Sequence, residues 1–307
     1  MSTSTEQSAH IKALILLNTT CLLWAGNILF GRLLSEFVGP LFIVAVRCAV
    51  GSLIFVVVIW LFGRRDLLRR VSNWPTIILM GLCGVILFQV LFYYGLRYTS
   101  MLNASIINSF IPIATALLAM LFFGTSLKRN QWIAALVTIV GIAWIMSEGD
   151  FAALLQFRFN IGDWLVLGAV FAWALYGVIG KGLMQEGELS AMEFTALGLF
   201  VSLLPILPLA LWEARVIPIE INSFVILALT FICIGPTVLC LFWWNRGVQL
   251  IGPAHAAIYM NLIPIYVVIL SYFFAGETIE WYHLGGGTLV VGASFYLGVS
   301  SIRAGNA

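Results

Sequence analysis

Charge is what this sequence has least of. Only 9% of its 307 residues are charged and 62% are apolar, where an ordinary soluble domain is about 25% charged. So few charges cannot coat a water-facing surface, which excludes an ordinary soluble protein and leaves the bilayer as the main solvent. A net charge of +2 gives no sign of a nucleic-acid partner. Metal and redox motifs are missing too. Cys21, Cys48, Cys83, Cys233 and Cys240 fall in apolar runs with no C-x-x-C or Cys/His spacing, so they read as buried free thiols. Gly285-Gly286-Gly287 is not followed by Lys-Ser/Thr, so it is no phosphate loop, and ATP hydrolysis within this chain is not expected. Those glycines instead suit close packing of a last helix on a neighbour. No nucleophile–base pair or cluster of His, Asp and Ser converges in the sequence, so neither an enzyme nor a cofactor is expected.

What is present is apolar length. A helix needs about 20 apolar residues to cross the hydrocarbon core. The candidates are 12–34, 40–62, 74–96, 100–124, 131–147, 162–183, 190–212, 221–247, 252–275 and 282–302. Runs such as Leu53 to Leu61 do not alternate, so the spans read as helices and not as barrel strands. Met1 to His10 carry no Lys or Arg, and no small-residue cleavage site clearly follows. The first run therefore reads as a retained span.

The chain also repeats itself. Gly95 to Gly124 returns 152 positions later as Gly247 to Gly276, with Ala104/Ala256, Pro112/Pro264 and Gly124/Gly276 among the shared residues. More weakly, Trp24, Gly31 and Arg32 precede Trp173, Gly180 and Lys181 by 149 positions. Two halves follow, residues 1–150 and 151–307, each with five spans. Ten Lys and Arg residues fall in the even loops and termini and four on the other side, with Arg47 inside span 2. The positive-inside rule then expects both termini in the cytoplasm. An odd number of spans per half turns the second half over, so the fold class is all-α membrane protein: ten transmembrane helices in two inverted five-helix repeats.

Leu23-Trp24-Ala25-Gly26-Asn27, Gly39-Pro40 followed by Arg47, Ala104 to Pro112, Pro253 to Pro264 and Gly276-Glu277 stand in order across almost the whole chain. In these the chain resembles the drug/metabolite transporter superfamily and its EamA-type ten-helix exporters, most of all the YddG-type exporters of aromatic and neutral amino acids. Thr125 departs from the family's Glu, which Glu277 keeps in the second half. The resemblance implies cytoplasmic termini in a bacterial inner membrane and efflux of small metabolites by alternating access.

Polar side chains inside spans are costly and so mark candidate sites. Asn27, Gln89, Asn103, Asn108, His255 and Asn261 are of this kind, and Asn103 and His255 are repeat equivalents. Interhelical hydrogen bonding is the structural alternative for each. Trp24, Trp173, Tyr176, Tyr93, Tyr94, Trp243, Trp244 and Tyr259 supply aromatic faces. Together these residues are expected to line a substrate cavity between helices 1, 3, 4, 6, 8 and 9, with Pro112 and Pro264 bending helices 4 and 9. Arg47 either binds a substrate carboxylate or is structural, snorkelling or paired with Glu193; the structural reading is preferred. His255 is a candidate proton carrier, with hydrogen bonding the more usual role.

The expected function is export of aromatic or neutral amino acids, working downhill as a uniporter, with the two halves rocking around a midplane site. The partners are then a small-molecule substrate and the lipid bilayer, with no nucleic acid, and the chain is expected to act as a monomer. Other small amphipathic compounds such as purines, vitamins or drugs, with or without proton coupling, are the nearest alternative cargo; a passive channel is a further alternative.

Overall fold

In a computed structural model, residues 2–61, 71, 73–124, 129–150, 152, 160–185, 191–251 and 259–305 are described. Helices dominate, as they must where the backbone has no water to bond. We number them α1 (Ser2–Leu34), α2 (Pro40–Leu61), α3 (Trp74–Tyr98), α4 (Met101–Asn108 and Ile111–Phe123), α5 (Arg129–Met146), α6 (Ile161–Gln185), α7 (Ala191–Glu213), α8 (Ser223–Ile234, Gly235–Leu239 and Cys240–Ile251), α9 (Leu262–Leu270 and Ser271–Ala275) and α10 (Trp281–Gly305). Among the described residues, segments of α1 to α8 are long and apolar enough to span a membrane; Leu262–Ala275 is a shorter apolar helix. Leu53, Leu204 and Phe273 are among many large apolar side chains left exposed, which suits contact with lipid and not with water. All five cysteines are buried free thiols.

The halves do not sit side by side as separate bodies. α1 packs mainly on α8 and α9 of the other half, and α6 packs mainly on α3 and α4. Glycine makes this possible at two equivalent points. A Cβ on Gly95 would lie 2.6 Å from Val166, and one on Gly247 would lie 2.5 Å from Leu17. Leu17 and Val166 are themselves 149 positions apart, so the same contact is made twice, each time across the halves. α7 packs on α2 and α10 on α5. Gly141 and Gly286 bring α5 and α10 backbone to backbone, which gives the second residue of the triple glycine its role.

The repeat is visible again where helices break. α3 widens into a π-helix over Gly81–Leu87 and α8 does so over Gly235–Leu239, positions that overlap at an offset of 152. α4 is interrupted by a turn at Ser109 and Phe110, and α9 restarts after a turn at Met260 and Asn261. Pro112 and Pro264 both fall in the first turn of the restarted segment, where a missing N–H costs no helical bond. The bend therefore lies just before each proline. Gly124 and Gly276 end α4 and α9 with φ of 63° and 64°, a left-handed conformation that explains why glycine recurs there.

Candidate functional site

A cavity of about 380 Å³ lies between the broken helices, within the size range of small-molecule sites. Its wall is largely aromatic. Trp24 of α1 packs on Trp244 of α8 with ring centroids 5.3 Å apart. On the facing side Trp173 of α6 lies 4.7 Å from Phe88 and 5.1 Å from Tyr176. Tyr176 fits because Gly84, in the π-helical stretch of α3, has no side chain: a Cβ there would lie 2.1 Å from the ring. Pro236, the repeat equivalent of Gly84, lines the cavity from α8.

Among the described residues one charged side chain lines it. Arg47 projects from α2, and its Nη1 donates to Tyr93 Oη at 3.0 Å and to Asn27 Oδ1 at 3.3 Å. Tyr93 donates its hydroxyl to Asn27 Oδ1 at 2.8 Å. The bonds of Arg47 among the described residues thus go to neutral groups. Among the described residues Arg47 Nε, Gln89 Oε1 and Asn108 Oδ1 are buried without a hydrogen-bond partner, and all three residues line this cavity.

Of the residues expected at a cavity, Trp24, Asn27, Gln89, Asn108, Trp173, Tyr176 and Trp244 line it. Others do not. Tyr93 is buried behind the wall and holds Asn27 and Arg47. Tyr94, one residue on and so about 100° around the helix, donates to Glu213 Oε1 at 2.6 Å instead. Trp243 is likewise turned off the wall that its neighbour Trp244 occupies. Tyr259 meets α1 through its carbonyl, which accepts from Cys21 Sγ at 3.2 Å. Asn261 sits in the turn before α9 and is not part of the lining. His255 lies outside the described residues. Sequence reasoning did not place α2 and α7 at the cavity, so it missed Thr195 and Leu199, and it weighed Arg47 as a carboxylate binder but preferred a structural role; an ionisable residue well inside a span was the signal.

Asn103 belongs to a second polar cluster, where α4, α6 and α10 begin. The Glu280 backbone N–H donates to His283 Nδ1 at 3.0 Å, so Nε2 carries the proton and donates to Asn103 Oδ1 at 3.1 Å. Asn103 Nδ2 lies 3.4 and 3.5 Å from the Asp163 carboxylate oxygens, and the Thr99 hydroxyl also donates to Asp163. Asp163 is only 1% exposed. Nearby, Glu277 accepts from the N–H groups of Met101 and Leu102 at 2.9 and 3.3 Å, and Glu213 accepts from Phe42 N–H at 3.0 Å. Each carboxylate from the second half thereby stabilises the N-terminus of a first-half helix. Glu277 is thus a helix cap away from the cavity lining, and Thr125 lies outside the described residues.

The sequence and fold have known counterparts. The EamA-like transporter family matches twice, over residues 11–147 and 160–299. An uncharacterized transporter of Bacillus subtilis, YyaM, is 26% identical over 74% of this chain and 73% of its own. An uncharacterized transporter of Archaeoglobus fulgidus is 23% identical over 93% and 96%. A probable terminal-alkyne amino-acid exporter of Streptantibioticus cattleyicolor is 24% identical over 72% and 71%. A crystal structure of a protein 15% identical superposes with a TM-score of 0.63 over 92% of this chain and 95% of that one, which shows a shared fold. With both halves matched, the chain belongs to the EamA-like transporter family and is a multi-pass membrane transporter.

Proposed function

We propose that this protein exports small amphipathic metabolites, foremost aromatic and neutral amino acids, across the bacterial inner membrane by alternating access. The observation that carries this reading is the cavity itself, an aromatic wall around one cationic side chain at the level of the helix breaks. Aromatic faces and edges suit a ring or an aliphatic side chain, and Arg47 suits an anionic head. The amino-acid exporter among the relatives supports the same class of cargo. Both termini lie in the cytoplasm, on the side that the excess of Lys and Arg favours.

The moving units in this reading are α1 with α8 and α9, and α6 with α3 and α4, because those helices pack together across the halves. This replaces a rocking of the sequence halves. The breaks in α3, α4, α8 and α9 supply the bending points. Transport is downhill exchange between two states of similar energy, both able to bind substrate. The test is counterflow in proteoliposomes with labelled amino acids, purines and cationic drugs in parallel. Saturable, trans-stimulated exchange of phenylalanine or leucine is expected; exchange of purines or drugs alone overturns the amino-acid reading, and ohmic flux without trans-stimulation overturns the carrier.

A further inference from the structure

We propose that Arg47, Gln89 and Asn108 form a head-group subsite for the zwitterion of an α-amino acid, with Arg47 holding the carboxylate and the two amide oxygens holding the ammonium. The proposal rests on reading the cavity as the transport site and assigns its polar atoms.

A guanidinium presents N–H donors in a planar fork. Both bonds of Arg47 leave from Nη1, to Tyr93 and Asn27. The opposite edge, Nε with Nη2, is the one that takes a carboxylate through two parallel bonds, and Nε is buried with no partner among the described residues. Asn27 and Tyr93 are neutral, so they orient the guanidinium without cancelling its charge. An unpaired cation at membrane depth is expensive, and an anion in the cavity completes it.

Gln89 and Asn108 supply the opposite chemistry. Gln89 is 6% exposed, lies one residue beyond Phe88 on α3, and leaves Oε1 without a donor; Asn108 ends the first segment of α4 and leaves Oδ1 without one. Buried amide oxygens are normally satisfied. Here both residues line the same cavity as Arg47, and an ammonium brings three donors. Trp24, Phe88, Trp173 and Trp244 then receive the side chain. The site therefore selects for the head group, with a cation for the carboxylate and amide acceptors for the ammonium, and tolerates varied apolar side chains. A ligand lacking the carboxylate leaves Arg47 unpaired, and one lacking the amine leaves the amides unpaired.

The test measures binding by the purified protein of L-phenylalanine, L-phenylalaninamide and 3-phenylpropionate, with counterflow of labelled phenylalanine alongside. Wild type is expected to bind L-phenylalanine about 10- to 100-fold more tightly than either analogue, the range expected for hydrogen bonds to charged groups. Arg47→Gln should lose the preference over the amide and keep that over 3-phenylpropionate. Gln89→Leu with Asn108→Leu should do the reverse. Arg47→Lys, which keeps the charge but not the fork, should retain a weakened preference and serves if Arg47→Gln fails to assemble. Phenylalanine exchange with an unchanged preference in the Arg47 variants overturns the subsite alone. A wild-type protein that exchanges no amino acid overturns the transport reading and the subsite with it.

Discussion

Among the described residues, two clusters of polar side chains differ in whether they satisfy one another. Where α4, α6 and α10 begin, Thr99, Asn103, Asp163 and His283 form a chain in which each donor has found an acceptor. In the cavity, Arg47, Gln89 and Asn108 each leave a buried atom with no partner among the described residues. Leaving a buried polar atom unpaired costs about 1–3 kcal/mol. A cluster that pairs its own groups serves the fold; one that carries that cost is built for something that comes and goes. The contrast reassigns Asn103 from cargo to architecture and promotes Arg47 in the other direction.

Substitutions in the two groups should therefore separate stability from transport. The largest effect is expected for Arg47→Gln: transport per folded molecule falls about 10- to 100-fold, while the thermal midpoint in detergent stays close to wild type. Asp163→Ala should act the opposite way. It strands the Thr99 hydroxyl and the Asn103 amide, costing about 1–3 kcal/mol, read as a lower midpoint with an unchanged KM. An Asp163→Ala protein with normal stability and lost transport would erase the distinction. Trp24→Ala and Trp173→Ala should each raise KM several-fold, on the order of the 0.5–1.5 kcal/mol of an aromatic contact, without impairing membrane insertion; normal KM in both would remove the aromatic wall from recognition. The smallest effect is expected for Asn103→Ala: a midpoint loss on the order of 1 kcal/mol and no change in KM, in contrast to Asn108→Ala, which should raise it.

Much of the architecture was legible in the sequence because lipid imposes length and apolarity on every span. The paired glycines were legible too, since Gly124 and Gly276 answer a backbone requirement and Gly95 and Gly247 a close approach. The site was read less well. Recurrence said that Asn103 and His255 occupy equivalent positions, not what those positions face. Tyr93 with Tyr94 and Trp243 with Trp244 are neighbours in sequence, and adjacent helical residues diverge by about 100°, so the members of each pair meet different surroundings: Tyr93 faces Arg47 and Asn27 while Tyr94 faces Glu213, and Trp244 lines the cavity while Trp243 does not. Asp163 stands near the start of α6, where an acid looks interfacial, and only the approach of Thr99 and Asn103 makes it a buried partner. The interleaving of α1 with α8 and α9 has no local signature, because any apolar face satisfies the sequence equally well.

The π-helical stretch of α3 fixes a phase. Met80 precedes it and Gln89 follows it, and both are buried. In a straight α-helix, residues nine apart point about 180° away from each other, so one of the two would meet lipid. The wider turns of Gly81–Leu87 bring them back to the same interior. Were that stretch drawn into regular α-helix with its residue count unchanged, Phe88, Gln89 and Phe92 would swing by about 100° relative to the first turns, although the backbone would remain fully hydrogen-bonded. Cargo recognition in this protein is thus written partly in the width of a helical turn, so that a change which merely regularises the helix would undo it while every recognising side chain remained in the sequence.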